Sequence, residues 1–167
     1  VAEALKAGWL ELWYQQKIDI RTLAPRGAEA LVRMRHPSWG VVPPASFIPD
    51  DKDPNFIQLS EFVVSRSVDD WHYLVGQHGP VDISINLPLS YLKDPAAVSE
   101  LCRRIPDHPA FGGLIVEIKS TEIIQNLDFA LDLAKRVRFH NIALSIDDLG
   151  VDWPALMELP VFPFVEI

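Results

Sequence analysis

The run Leu114-Ile115-Val116-Glu117-Ile118, the segment Leu127 to Val137 and the run Ile142-Ala143-Leu144-Ser145-Ile146-Asp147 decide the fold when read together. The first and last are short and nearly continuous in apolar and branched residues, the pattern of strands buried on both faces. Between them lies a segment of helical spacing, long enough to carry the chain back over the sheet. Strand, helix, strand at this separation predicts parallel strands joined by crossover helices, and hence an α/β layered or barrel fold.

The same alternation extends outward toward the N-terminus. Val81-Asp82-Ile83-Ser84-Ile85-Asn86 alternates as a strand does, and Leu87-Pro88 stops it. Asp94 is placed as an N-cap and Pro95 as the first residue of a helix running to Ile105. From Phe56 to Val75, Ile57, Leu59, Phe62, Val63, Val68, Trp71, Leu74 and Val75 fall mostly three or four apart, which predicts an amphipathic helix closed by Gly76 and Gly79. Residues 2–9 are helix-like and 10–20 read as a strand. Pro25 and Gly27 turn the chain into a second strand carrying Glu29, and so short a link predicts an antiparallel pair. Pro37, Gly40, Pro43 and Pro44 end it. Pro44 to Ile48 is a helical turn and 49–54 a polar loop. Toward the C-terminus, Trp153 to Glu158 reads as a short helix and Phe164 to Ile167 as the start of a further strand.

At 167 residues with 49% apolar content, the chain suits one domain with a core of its own. No apolar run reaches the roughly 18 residues needed to cross a bilayer, and the opening Val1-Ala2-Glu3-Ala4-Leu5-Lys6 lacks the order of a signal peptide. With one cysteine, Cys102, and no zinc-ligand spacing, a cytoplasmic protein is expected. The net charge of -8 leaves no basic stripe for tracking a nucleic-acid backbone, which excludes long DNA or RNA as a partner. A small anion remains open, because local field rather than net charge decides it.

The polar residues stand at particular places. Asn86, Glu117, Asp147 and Asp148 each fall at or near the carboxyl end of a predicted strand, where α/β folds carry their chemistry. On the earlier strand, Glu29, Leu31, Arg33 and Arg35 share one face. Glu29 and Arg33 would serve there either as a simple ion pair or as a metal ligand beside a phosphate ligand. Taken singly, each residue has a structural explanation: Asn86 and Asp147-Asp148-Leu149-Gly150 as turn formers, Glu117 as a partner of Lys119 or Lys135. Four carboxylates and an amide oxygen at one barrel mouth would repel without a cation. All-oxygen donors suit magnesium or manganese, and adjacent aspartates allow two ions about 3.5–4 Å apart, an arrangement suited to phosphoryl chemistry.

Several motifs together resemble the EAL domain family, whose members hydrolyse cyclic di-GMP. Tyr14-Gln15 and Lys17 resemble its first-strand pattern, with Gln16 in place of proline. Glu29-Ala30-Leu31 is the naming motif, followed by Val32-Arg33-Met34-Arg35-His36-Pro37. Pro43-Pro44, Phe47-Ile48-Pro49, Ser84-Ile85-Asn86-Leu87 and Val116-Glu117-Ile118 match in order. The resemblance covers nearly all of 1–167 as a single domain and implies a modified TIM (β/α)8 barrel with an antiparallel first strand. Here the barrel is expected to be incomplete, with about six of eight strands.

It further implies that Glu29, Asn86, Glu117 and Asp147 hold one Mg2+ or Mn2+, and that Asp147 and Asp148 hold a second. Gln15, Leu31 and Arg33 match positions that contact the dinucleotide, Arg33 at a phosphate. The implied reaction is hydrolysis of one phosphodiester to give linear pGpG. A homodimer and a GGDEF or sensory domain in the parent chain are also compatible with the family.

Three departures bear on that expectation. Where the family has x-Thr-Glu after its metal-binding glutamate, this chain has Ile118-Lys119-Ser120, so the threonine and the glutamate that braces the neighbouring loop are expected to be lost. Asp147-Asp148-Leu149-Gly150-Val151-Asp152-Trp153-Pro154-Ala155 keeps only the aspartates and the first glycine of the usual loop. The family's catalytic lysine would directly follow Ile167, so no catalytic residue of that kind is present and this chain is expected to be inactive or weak on its own. Two functions follow: a metal-dependent cyclic di-GMP phosphodiesterase in the full-length parent, or a degenerate domain serving as a cyclic di-GMP receptor or protein-interaction module.

Overall fold

The computed structural model describes residues 1–49, 53–148, 150 and 163–165. They fall into two compact units, Val1–Ile83 and Ser84–Ile167. Strands alternate with helices, and both antiparallel and parallel pairs occur, so the fold is α/β as expected.

In the first unit, α1 (Ala2–Ala7) ends at Gly8, whose φ of 68° is the left-handed conformation that closes a helix. Strand β1 (Leu10–Ile18) then pairs antiparallel with β2 (Pro25–His36), the hairpin expected from the short link. A short strand β3 (Gly40–Val42), unexpected among turn residues, adds to β2. Pro44–Ser46 forms the expected helical turn.

Helix α2 (Pro54–His78) starts where Asp53 accepts a hydrogen bond from the Asn55 N–H at 2.8 Å, with Pro54 at its first position. Leu10, Leu12 and Tyr14 stand opposite Met34, Val32 and Ala30, and this face of the hairpin supplies the core with Leu59 of α2 and Ala4. Tyr14 fixes the arrangement by donating its hydroxyl to Asp70 at 2.8 Å. Burial and that carboxylate push the phenol well above its ordinary pKa. Gly27 has no room for a side chain: a Cβ there would lie 2.6 Å from the Asp82 carbonyl oxygen, where β4 (Asp82–Asn86) begins.

In the second unit, the Leu87 N–H bonds the Glu117 carbonyl, which links the end of β4 to β5 (Leu114–Lys119). A single turn, α3 (Leu89–Leu92), and the Asp94-capped α4 (Pro95–Arg104) follow β4. After β5 come α5 (Ser120–Gln125) and α6 (Leu127–Val137), which lead to β6 (Ile142–Asp147), parallel to β5. Ala130, Leu133, Ala134 and Val137 are buried at i, i+3, i+4 and i+7, the one face that an amphipathic helix presents to a core. One face of the β5–β6 pair is wholly apolar: Leu114, Val116 and Ile118 stand opposite Ile142, Leu144 and Ile146, all buried.

Of the strand expected over Phe164–Ile167, the described part is buried at Phe164 and donates the Val165 N–H to the Leu144 carbonyl at 3.0 Å. The helix expected at Trp153–Glu158 lies outside the described residues. Among the described residues, no helix is long and apolar enough to cross a membrane.

Candidate functional site

Each unit presents a polar sheet face. In the first, the antiparallel register sets Gln15 opposite Glu29, Trp13 opposite Leu31 and Glu11 opposite Arg33. Side chains two apart along a strand share a face, so Gln15, Glu29, Leu31 and Arg33 stand together on the side opposite Leu12 and Tyr14. The structure thus gathers all four residues assigned to this strand pair. Arg33 is directed by two local contacts: its Nη1 donates to the Val32 carbonyl at 2.9 Å, and its guanidinium carbon lies 5.7 Å from the centre of the Trp13 ring. Glu29 is half-buried and engaged by a neighbour rather than isolated.

In the second unit, the Leu87 N–H to Glu117 O=C bond is the ladder step that, between parallel strands, sets Asn86 alongside Glu117. Glu117 in turn stands opposite Ser145, and Asp147 lies two residues further on the same face, opposite Lys119. An amide and two carboxylates therefore share one end of three neighbouring strands. Glu117 is only 6% exposed, Asp147 is half-buried, and Asn86 and Asp148 are exposed. Asn86 and Glu117 both have polar or charged neighbours. Among the described residues, no three Asp, Glu, His or Cys side chains form a group able to hold a metal ion. What the strands bring together is one rung and its extension.

Past β6 the chain turns sharply. Asp148 has a φ of 53°, a left-handed conformation that aspartate tolerates better than most residues. Its carbonyl accepts a hydrogen bond from the Ser120 hydroxyl at 2.9 Å, and Ser120 is 1% exposed. The glutamate expected to brace the loop is absent, and at its place the shorter Ser120 side chain makes a bond of its own to the Asp148 backbone. Replacing Ser120 with alanine should lower divalent-ion affinity on the order of tenfold, as loss of supporting partners around a metal does. Global stability should fall by only about 1 kcal/mol. Titration of manganese into both proteins checks this, and equal affinities would mean that the bond holds nothing the ion needs.

Sequence reasoning missed Trp13 and the bond made by Ser120, and named Lys119 only as a partner of Glu117. Period two along β1 places Trp13 beside Gln15, so that signal was present. The placement of Lys119 opposite Asp147 and the bond from Ser120 to a carbonyl 28 residues away depend on pairing between distant segments.

Comparison with known proteins identifies the family and the fold. The family model described as EAL domain matches residues 1–167. The chain is 30% identical over 165 residues to the cyclic di-GMP phosphodiesterase NbdA of Pseudomonas aeruginosa, covering 96% of this chain and 21% of that protein. It is 27% identical over 169 residues to the cyclic di-GMP phosphodiesterase RocR of the same organism, covering 100% of this chain and 43% of that protein. Among solved structures, the PaMucR phosphodiesterase in complex with c-di-GMP superposes with a TM-score of 0.79 at 26% identity, over 90% of this chain and 62% of that one. The chain spans roughly a quarter of the length of the first curated relatives it matches, 26% and 24%. With the family model matching residues 1–167, the chain belongs to the EAL domain family.

Proposed function

We propose that this chain is the cyclic di-GMP-binding part of a metal-dependent phosphodiesterase that converts the cyclic dinucleotide to linear pGpG in the full-length parent. The observation that carries this reading is the rung of Asn86 and Glu117, with Asp147 two residues ahead on the same face. Its donors are all oxygen, and a buried carboxylate beside a second one is stabilised by a hard divalent cation, which suits magnesium or manganese.

Asn86, Glu117 and Asp147 would hold one ion, and Asp147 with Asp148 would hold a second. Two such ions would supply charge neutralisation and would lower the pKa of a water so that it attacks phosphorus as hydroxide. The chain's own side chains do the rest. Arg33 offers a guanidinium to a phosphate, Gln15 a side-chain amide, and Leu31 an apolar surface.

A second reading, a receptor that binds without cleaving, is favoured by one observation. Lys119 stands opposite Asp147, and adjacent strands are about 4.8 Å apart, so its long side chain can reach the Asp147 carboxylate and compete with an ion for it. The test is the full-length parent incubated with manganese and cyclic di-GMP. Release of pGpG supports the enzyme, binding without release supports the receptor, and absence of binding removes both.

A further inference from the structure

Trp13 is 44% exposed, yet its ring is held in place. The indole Nε1–H donates to Glu11 at 2.7 Å, and Glu11 is gripped by Arg35 through bonds of 2.8 and 3.2 Å. These hydrogen bonds hold the Glu11 carboxyl below its ordinary pKa, so the clasp stays charged at neutral pH. A tryptophan left 44% exposed on a strand has much of its ring open to a ligand, and a fixed ring binds a flat ligand at lower entropic cost. Its neighbours say what kind of ligand. Leu31 stands opposite it, the Gln15–Glu29 pair lies on one side, the Glu11–Arg33 pair on the other, and the Arg33 guanidinium lies over the ring. A π-surface and a cation on one sheet face match a base and the phosphate attached to it.

We propose that Trp13 is a stacking platform for a purine base of the nucleotide ligand, with Arg33 beside it for that ligand's phosphate. The proposal rests on the nucleotide-binding reading given above and adds a residue that determines which base is preferred. Stacking is favoured by large aromatic surface, so a guanine-containing ligand should depend on Trp13 more than a uracil-containing one does.

The test is titration of the full-length parent, in manganese, with linear pGpG, the product of the proposed reaction, and with pUpU as the pyrimidine comparison. Trp13→Ala should weaken pGpG binding roughly ten- to hundredfold. It should change pUpU binding much less, and Trp13→Phe should stay within about threefold of wild type. Because the ring is exposed, the alanine variant is expected to fold, and circular dichroism verifies it. If Trp13→Ala stays within twofold of wild type for pGpG, or if phenylalanine fails as badly as alanine, the platform is overturned while nucleotide binding stands. If wild type itself does not bind pGpG, the nucleotide reading and the platform fall together, an outcome that the first titration separates from the others.

Discussion

Glu117→Ala in the full-length parent is expected to weaken divalent-ion binding by more than about a hundredfold, since even indirect partners of a metal are worth 10–100-fold. Glu117 is 6% exposed on a strand whose other face is entirely apolar, and Asn86 and Asp147 extend its row. A carboxylate in that position either pairs with a cation from solution or is satisfied by protein neighbours. The two cases differ in what the substitution changes. If Glu117 is an ion ligand, manganese binding collapses, and Glu117→Gln, which keeps the volume and one oxygen but not the charge, also loses most of it. If it is a structural partner, the alanine variant strands a buried neighbour at a cost of about 1–3 kcal/mol, while ion binding survives. Calorimetric titration with manganese together with urea denaturation of both variants distinguishes these results, and unchanged ion binding takes Glu117 out of the ligand set.

Trp71→Ala should cost about 3–5 kcal/mol of stability, the range for removing a large aromatic side chain from a close-packed core. Trp71 is fully buried on α2 at 0% exposure. Its Nε1–H also donates to the Val81 carbonyl at 3.2 Å, one residue before β4 begins. The loss therefore combines a cavity with an unpaired carbonyl at the entry to a strand. Against a typical total of about 5–15 kcal/mol for a domain, much of the folded population is at stake. Trp71→Phe refills most of the volume but not the hydrogen bond, and its cost should be smaller by a factor of about two. Urea denaturation followed by circular dichroism measures both. Equal costs for alanine and phenylalanine would mean that the hydrogen bond, rather than the packing, dominates.

Trp13 and Ser120 owe their roles to contacts that their local sequence does not mark. An aromatic residue on a strand reads first as a good strand former, and nothing local marks it as held in the open by Glu11 and Arg35. Ser120 after a strand reads as a cap or a turn residue, whereas its hydroxyl is committed to the Asp148 carbonyl. The short elements β3, α3 and α5 escaped for a related reason. Elements this short carry little periodicity of their own, and they form because of what they meet. The α3 turn is an example, since the Leu89 N–H at its start is satisfied by the Glu122 carboxylate from α5 at 2.7 Å.

The longer elements, including α6 at Leu127–Val137 and β6 at Ile142–Asp147, and the antiparallel first pair were legible in the chain alone. So were the places of Asn86, Glu117 and Asp147 at strand ends. Each of these depends on side-chain spacing and turn chemistry within a few residues, which the chain carries locally. Pairing between distant segments sets Asn86 and Glu117 on one rung, turns Lys119 toward Asp147, and stands Trp13 among Gln15, Leu31 and Arg33. Those facts are registers and hydrogen bonds between segments far apart in the chain, and a shift of one residue would have turned every one of these side chains to the opposite face.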